Sequence, residues 1–159
     1  MDHKDIPIGE HVYRIGQLKA ADGSWIYSTF VKRYRAYREA QPVQMEQPEA
    51  TTEVPQEIGF AMTAQFLMEQ LTRDELTEVQ GICLLACGRY SNRTGTPISM
   101  PILLADGRYA VPELQFDAPT IYKLTQEAIA FNIAPFFPGA GSSESVNPAT
   151  IVQEPSTQR

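Results

Sequence analysis

The stretch Thr72 to Tyr90, TRDELTEVQGICLLACGRY, constrains this chain more than any other. Its opening, Thr72-Arg73-Asp74-Glu75, has the spacing of a capping box. In that motif the Thr72 hydroxyl accepts from the Glu75 N–H, and the Glu75 carboxylate reaches back to the Thr72 N–H. Asp74, Glu75 and Glu78 then lie near the positive end of the helix dipole. The run Ile82-Cys-Leu-Leu-Ala-Cys87 carries no strongly polar group over more than one helical turn, so no side of it is fit to face water. The stretch therefore predicts a buried central helix, ending at Tyr90, on which the other elements pack.

At 159 residues, 43% of them apolar and 20% charged, the chain is long enough for one domain with its own core. A net charge of -6 argues against a general nucleic-acid binder, which carries a basic excess. No apolar run approaches the roughly 20 residues that span a bilayer. The N-terminal MDHKDIPIGEH lacks the apolar core of a signal peptide and reads as a loose leader. Cys83 and Cys87 share one face of the expected helix, a poor geometry for a bridge, which favours reduced thiols.

The remaining elements follow from local signals. Val12 to Ile15 has the composition of a short strand. Asp22 or Ser24 caps a helix over Trp25 to Ala40, with Ile26, Phe30, Tyr34 and Tyr37 on one face and Lys32, Arg35 and Arg38 on the opposite arc. Such a basic, aromatic helix can dock on an acidic or apolar partner, but a charged arc is more often a solvated face. Residues 41–56 hold three prolines and three glutamates and read as a mobile acidic loop. Glu57 to Leu71 is a second amphipathic helix, joined closely to the central one. Asp106-Gly107 between two apolar runs predicts a β-hairpin over 98–111. Asp117, with Pro119 in the first turn, starts a last helix that Pro135 ends. Residues 138–159 read as a disordered tail after a globular domain over 1–137. The expected fold is thus α+β, mainly α: four main helices around the buried Ile82–Cys87 helix, with a short β-hairpin.

No nucleotide-binding glycine motif and no nucleophile elbow occurs. His3 and His11, with Asp2, Asp5 and Glu10, can be drawn as a metal cluster, but their irregular spacing favours a solvated leader. The cysteines, flanked by Ile, Leu and Ala, read as core residues rather than ligands or nucleophiles. Arg89, Asn92 and Arg93 read as a cap at the end of the central helix. Neither a catalytic residue, a cofactor nor a metal is expected.

Three blocks, in order and spacing, resemble the tail assembly chaperones of long-tailed bacteriophages. They are Val12-Tyr-Arg-Ile-Gly-Gln-Leu18, the helix ending Cys87-Gly-Arg-Tyr90, and Leu114-Gln-Phe-Asp117 with its helix and Asn132-Ile-Ala-Pro-Phe-Phe137. Together they cover about two-thirds of the chain. The resemblance implies a non-enzymatic protein of the infected host's cytoplasm, absent from the mature virion. It implies as partners the helical tape-measure protein, the tail-tube protein and a frameshift-extended form of the chain itself, with neither nucleic acid nor membrane. A long amphipathic client needs an exposed aromatic groove. The expected contact residues are Trp25, Phe30, Tyr34, Tyr37, Phe131, Phe136 and Phe137. The competing reading is a small structural virion protein, such as a tail terminator or head–tail connector; a small regulatory factor is a third.

Overall fold

The computed structural model describes residues 2–40, 59–92 and 95–137. The acidic segment 41–56, the tail from Pro138 onward and Arg93 lie outside these residues. The described chain runs β1 (His3–Ile8), β2 (His11–Gly16), α1 (Ala20–Ala40), α2 (Gly59–Gln70), α3 (Arg73–Leu85), β3 (Cys87–Ser91), β4 (Ile98–Pro101) and α4 (Ala118–Ile133). Short 3-10 turns at Pro112–Phe116 and Ala134–Phe136 flank α4.

The strands form one antiparallel sheet in the order β1-β2-β3-β4. Four helices are present, but the sheet overturns the expected arrangement of four helices around a buried central helix with only a short hairpin. The polar leader is strand β1, paired to β2 through the two-residue turn Gly9-Glu10, in which Gly9 takes φ +60°. β2 pairs with β3, placing Tyr13 opposite Arg89 and Ile15 opposite Cys87. The hairpin expected over 98–111 is also rearranged. Ile98–Pro101 pairs with β3, and the Asp106-Gly107 turn closes only a small loop around an isolated Leu103–Tyr109 bridge.

Helix α3 begins as the sequence predicts. Thr72 accepts the Glu75 N–H at 3.3 Å, and the Glu75 carboxylate accepts the Thr72 N–H at 3.2 Å. It ends at Leu85, five residues before Tyr90, with Ala86 as its C-cap. The apolar run thus spans two elements, the end of a helix and the first residue of a strand. That division lets Leu85 stand 55% exposed while Cys83, Leu84 and Cys87 are buried. The run never has to bury a full helical circumference, so α3 is an amphipathic layer rather than a hub.

The central role belongs to α4. Its buried face carries Ile121, Leu124, Thr125, Ala128, Ile129 and Ile133, and it packs on α1, α2, α3 and β2. Asp117 caps it, accepting the Thr120 N–H at 3.1 Å and the Thr120 hydroxyl at 2.7 Å. Asn132, near its end, ties the β2–α1 junction down by donating to the Gly16 carbonyl and accepting the Leu18 N–H. This tether explains why α1 starts at Ala20, ahead of the expected caps, with Asp22 inside its first turn.

One face of the sheet is core: Ile6, Tyr13, Ile15, Cys87 and Ile102 are all buried. On the other face Arg14 makes a double hydrogen bond to Asp5, at 2.8 and 2.9 Å, and lies 4.8 Å over the Tyr90 ring. Each sheet edge carries one outward-facing proline. The Gly9-Glu10 turn makes Ile8 and His11 a hydrogen-bonded pair, so Ile6 and Lys4 also face β2 and Pro7 faces outward. At the opposite edge Ile102 donates to the Cys87 carbonyl at 3.2 Å, so Met100 and Ile98 face β3 and Pro101 faces outward. Each outward proline withholds the N–H that a further strand would need. No helix among the described residues is long and apolar enough to cross a membrane.

Candidate interaction surface

The aromatic residues singled out in the sequence divide into two clusters, both built against other parts of the chain. In the first, Phe30, Tyr34 and Tyr37 follow one another at helical spacing along α1 and converge on Phe66 of α2. Their ring centroids lie 6.4, 6.0 and 5.0 Å from that of Phe66, all close to edge-on, the arrangement the ring quadrupoles favour. In the second, Tyr27 stacks on Phe136 at 4.2 Å and meets Phe137 edge-on, and Phe137 lies 5.6 Å from Phe60. Trp25 and Phe131 are half-buried against the core, and Phe30 is buried.

Much of the expected groove is therefore internal packing. Its open parts are the outer edges of Tyr34, Tyr37 and Phe136, which are 37, 43 and 37% exposed. Phe66 holds the two tyrosine rings in place, and Tyr27 holds Phe136. Helical spacing marks Phe66 and Tyr27 as apolar-face residues, but nothing local indicates which rings they meet.

On the arc of α1 opposite the Tyr34–Tyr37 edge runs a basic row. Lys32, Arg35 and Arg38 sit three residues apart on α1, and all are exposed. Every residue from Tyr34 to Ala40 is exposed as well. Arg33, on the side nearer the body, donates to both oxygens of Glu75, at 2.7 and 2.8 Å. The Glu75 carboxyl is held below its ordinary range by the Thr72 backbone and hydroxyl first, and by Arg33 after them. One carboxylate thus closes the α3 cap and fixes the middle of α1.

The other candidate chemistry is dispersed. His3 pairs with Gly16 and His11 with Ile8, at opposite ends of the β1–β2 hairpin, about 16 Å apart along a strand. Among the described residues no group of three or more His, Cys, Asp and Glu could hold a metal ion. The cysteines do not share a helix: Cys83 is on α3 and Cys87 on β3, and both are free and buried. Burial pushes the Cys87 thiol up to about 12 and raises that of Cys83 further. A thiol raised in this way holds almost no nucleophilic thiolate at neutral pH.

Arg89 is not a helix cap. It lies on β3 and donates to Glu113 at 2.8 Å and to the Tyr13 hydroxyl at 3.3 Å. Burial opposes its charge, and these two partners more than offset that, so its pKa is raised. Its Nε is buried without a partner among the described residues. The group ties the 3-10 turn before α4 to the sheet.

Comparison of the chain with family models, with curated proteins and with solved structures finds no match.

Proposed function

We infer that this chain is a non-enzymatic assembly chaperone of phage tails, acting in the host cytoplasm by binding the tape-measure protein and aiding tail-tube polymerisation. The observation that carries this reading is the exposed half of α1, where Tyr34 and Tyr37 present ring edges and Lys32, Arg35 and Arg38 line the opposite arc. An amphipathic helix is recognised by such a surface. Apolar anchors settle against rigid rings, and flanking charge sets orientation and keeps the complex in solution. The rings are held edge-on by Phe66, so little side-chain entropy is lost when a client docks.

The three sequence blocks of the resemblance meet in one place, which supports treating them as one unit. Gly16 and Leu18 of the first block are hydrogen-bonded to Asn132 of the third. Arg89 of the second touches Tyr13 of the first. An outward proline on each sheet edge disfavours strand addition and so favours association through side-chain surfaces, as suits a protein that coats a client and then leaves it.

The test is co-expression with the longest helical protein encoded nearby, followed by affinity capture and light scattering. Recovery of that protein in solution as a multi-copy complex, lost in a Tyr34→Ala/Tyr37→Ala variant that keeps its helical content, is the expected result. A chain that ignores the client and assembles alone into a discrete ring favours a structural virion protein instead.

A further inference from the structure

We propose that the outer face of the sheet, turned away from the helices, docks a second copy of this chain, giving a weak two-fold dimer packed sheet on sheet. The inference goes beyond the chaperone reading and does not rest on it.

The register fixes which side chains share that face. Partners across an antiparallel pair point the same way, and neighbours along a strand alternate. Tyr13 and Ile15 are buried on the side where α4 packs, so Val12 and Arg14 point away from it. One row across the four strands then reads Pro7, Val12, Tyr90 and Ser99, and the next centres on Arg14 and Gly88.

A solvated antiparallel face carries polar side chains at such positions. This one holds no Lys, Glu, Gln, Asn or Thr. Its one cation and one carboxylate, Arg14 and Asp5, are joined to each other at 2.8 and 2.9 Å, and the guanidinium lies over the Tyr90 ring. Val12 beside them is 38% exposed. Tyrosine and arginine without lysine or glutamate is the composition of a protein interface rather than of a wet surface. The Asp5–Arg14–Tyr90 stack is already held in place, so little side-chain entropy is lost on docking.

Charge selects the second copy as occupant. Asp5 and Arg14 cancel, so the whole net charge of -6 resides elsewhere on the chain. A charged partner finds nothing here to pair with, whereas an identical copy meets no repulsion on this face. In such packing the two sheets lie about 10 Å apart, each with its helical layer on the far side. The charged helical surfaces are then separated by both sheets, beyond the Debye length of about 8 Å at physiological salt. Shape agrees: Tyr90, the largest side chain of the face, stands next to Gly88 and Ser99, the smallest, so a two-fold can set each projection over the other copy's low ground. Four strands of four to six residues outline a face of about 19 by 17 Å. That is the size of a weak, exchanging interface rather than a permanent one.

The experiment is sedimentation equilibrium of the full chain from low micromolar to millimolar concentration, at low and high salt. The expected result is a monomer–dimer equilibrium with a micromolar Kd that changes less than about three-fold with salt. Val12→Lys and Ser99→Lys, which set unpaired cations against each other across the two-fold, are each expected to raise Kd about ten-fold or more. Both positions are exposed, so circular dichroism is expected to stay unchanged. Met62→Lys, at a residue of α2 that is 61% exposed, and Tyr34→Ala/Tyr37→Ala are expected to leave Kd as it is. The Val12→Cys thiol is expected to alkylate more slowly as the chain is concentrated.

A monomer throughout, a dimer indifferent to both outer-face lysines, a Kd that moves steeply with salt, or a dimer lost in Met62→Lys overturns the proposal. A monomer whose Val12→Cys thiol alkylates slowly at every concentration also overturns it, because a segment of the same chain then lies over the face. Co-expression that recovers the helical client from a monomeric chain removes this inference alone. A dimer alongside failed co-expression leaves it standing without the chaperone reading.

Discussion

Asn132 accepts the N–H of Leu18 at 2.8 Å, joining the end of α4 to the segment between β2 and α1. The same side chain donates to the carbonyls of Gly16, at 3.2 Å, and of Ala128, at 2.9 Å. One amide therefore serves two backbone groups of the β2–α1 junction that are only partly open to water. Asn132→Ala is expected to cost about 1–3 kcal/mol, because both groups lose their partner without gaining full hydration. Asn132→Asp keeps an acceptor for Leu18 but loses the donor for Gly16, and is expected to fall between. Urea unfolding of the three proteins checks the order; an alanine variant as stable as the parent would remove Asn132 from the architecture.

Gly88 sits where β3 crosses between β2 and β4. A Cβ there would run into the Ser99 hydroxyl and lie 3.1 Å from the Met100 carbonyl oxygen. The hydroxyl can rotate, but the carbonyl belongs to the strand ladder and cannot. Gly88→Ala is expected to destabilise the fold by about 1–3 kcal/mol, the usual range for forced overpacking. Adding Ser99→Ala relieves the first contact and not the second, so the double variant is expected to recover only part of the loss. Thermal unfolding of the single and double variants reads this directly.

Stability is expected to fall on acidification. Asp5 is lowered chiefly by the Arg14 hydrogen bond, Glu113 by Arg89, Asp117 by Thr120, and Glu75 by Thr72. Glu127 is raised by burial, but hydrogen bonds from Lys123 and Lys4 outweigh this and leave it lowered. Each folded-state pKa thus lies below its unfolded value. Their contribution is present in full above the unfolded carboxylate range, begins to fade near about pH 5, and is lost as pH falls through the folded values. Melting temperature followed from pH 7 to 3 is expected to drop. The slope is expected to be shallower in Glu127→Gln, which no longer takes up that proton.

Neither cysteine is expected to react in the folded protein. Both are buried and their thiol pKa values are raised by desolvation. Ellman titration is expected to find no rapidly reacting thiol under native conditions and both in denaturant, since the chain has two. A fast native reaction at Cys87 contradicts its buried place at the start of β3.

What could be read in the sequence was what is decided within a few residues. The Thr72–Glu75 box, the Asp117 cap and the Asp106-Gly107 turn are all present, because each depends on side chains reaching their own backbone. The run Ile82–Cys87 misled because a short apolar segment has the same composition whether it ends a helix or opens a strand. Its division at Ala86 is set by β2, which offers Cys87 a partner in Ile15 from the far end of the chain. β1 was hidden by its edge position: only Ile6 and Ile8 are apolar, and Pro7 and the charged residues that protect an edge are what made it look like a leader. The α1 aromatic face was legible as a face. That Phe66 and Phe60 consume much of it was not, because those contacts join segments with no local signal between them.

The two outward prolines bear on how the chain is made as well as on how it folds. Once the N-terminal hairpin leaves the ribosome, Pro7 already guards its outer side, but the inner side, at Val12, Arg14 and Gly16, contains no proline. That side has its partner only when Gly88 to Tyr90 has been synthesised, three helices later. During translation each nascent chain therefore carries one open strand edge, and neighbouring chains on one message carry the same edge. Faster elongation through α1–α3 shortens that window. Synonymous codons that slow this region are a route to aggregation in a protein whose finished sheet exposes only its two proline-bearing outer strands.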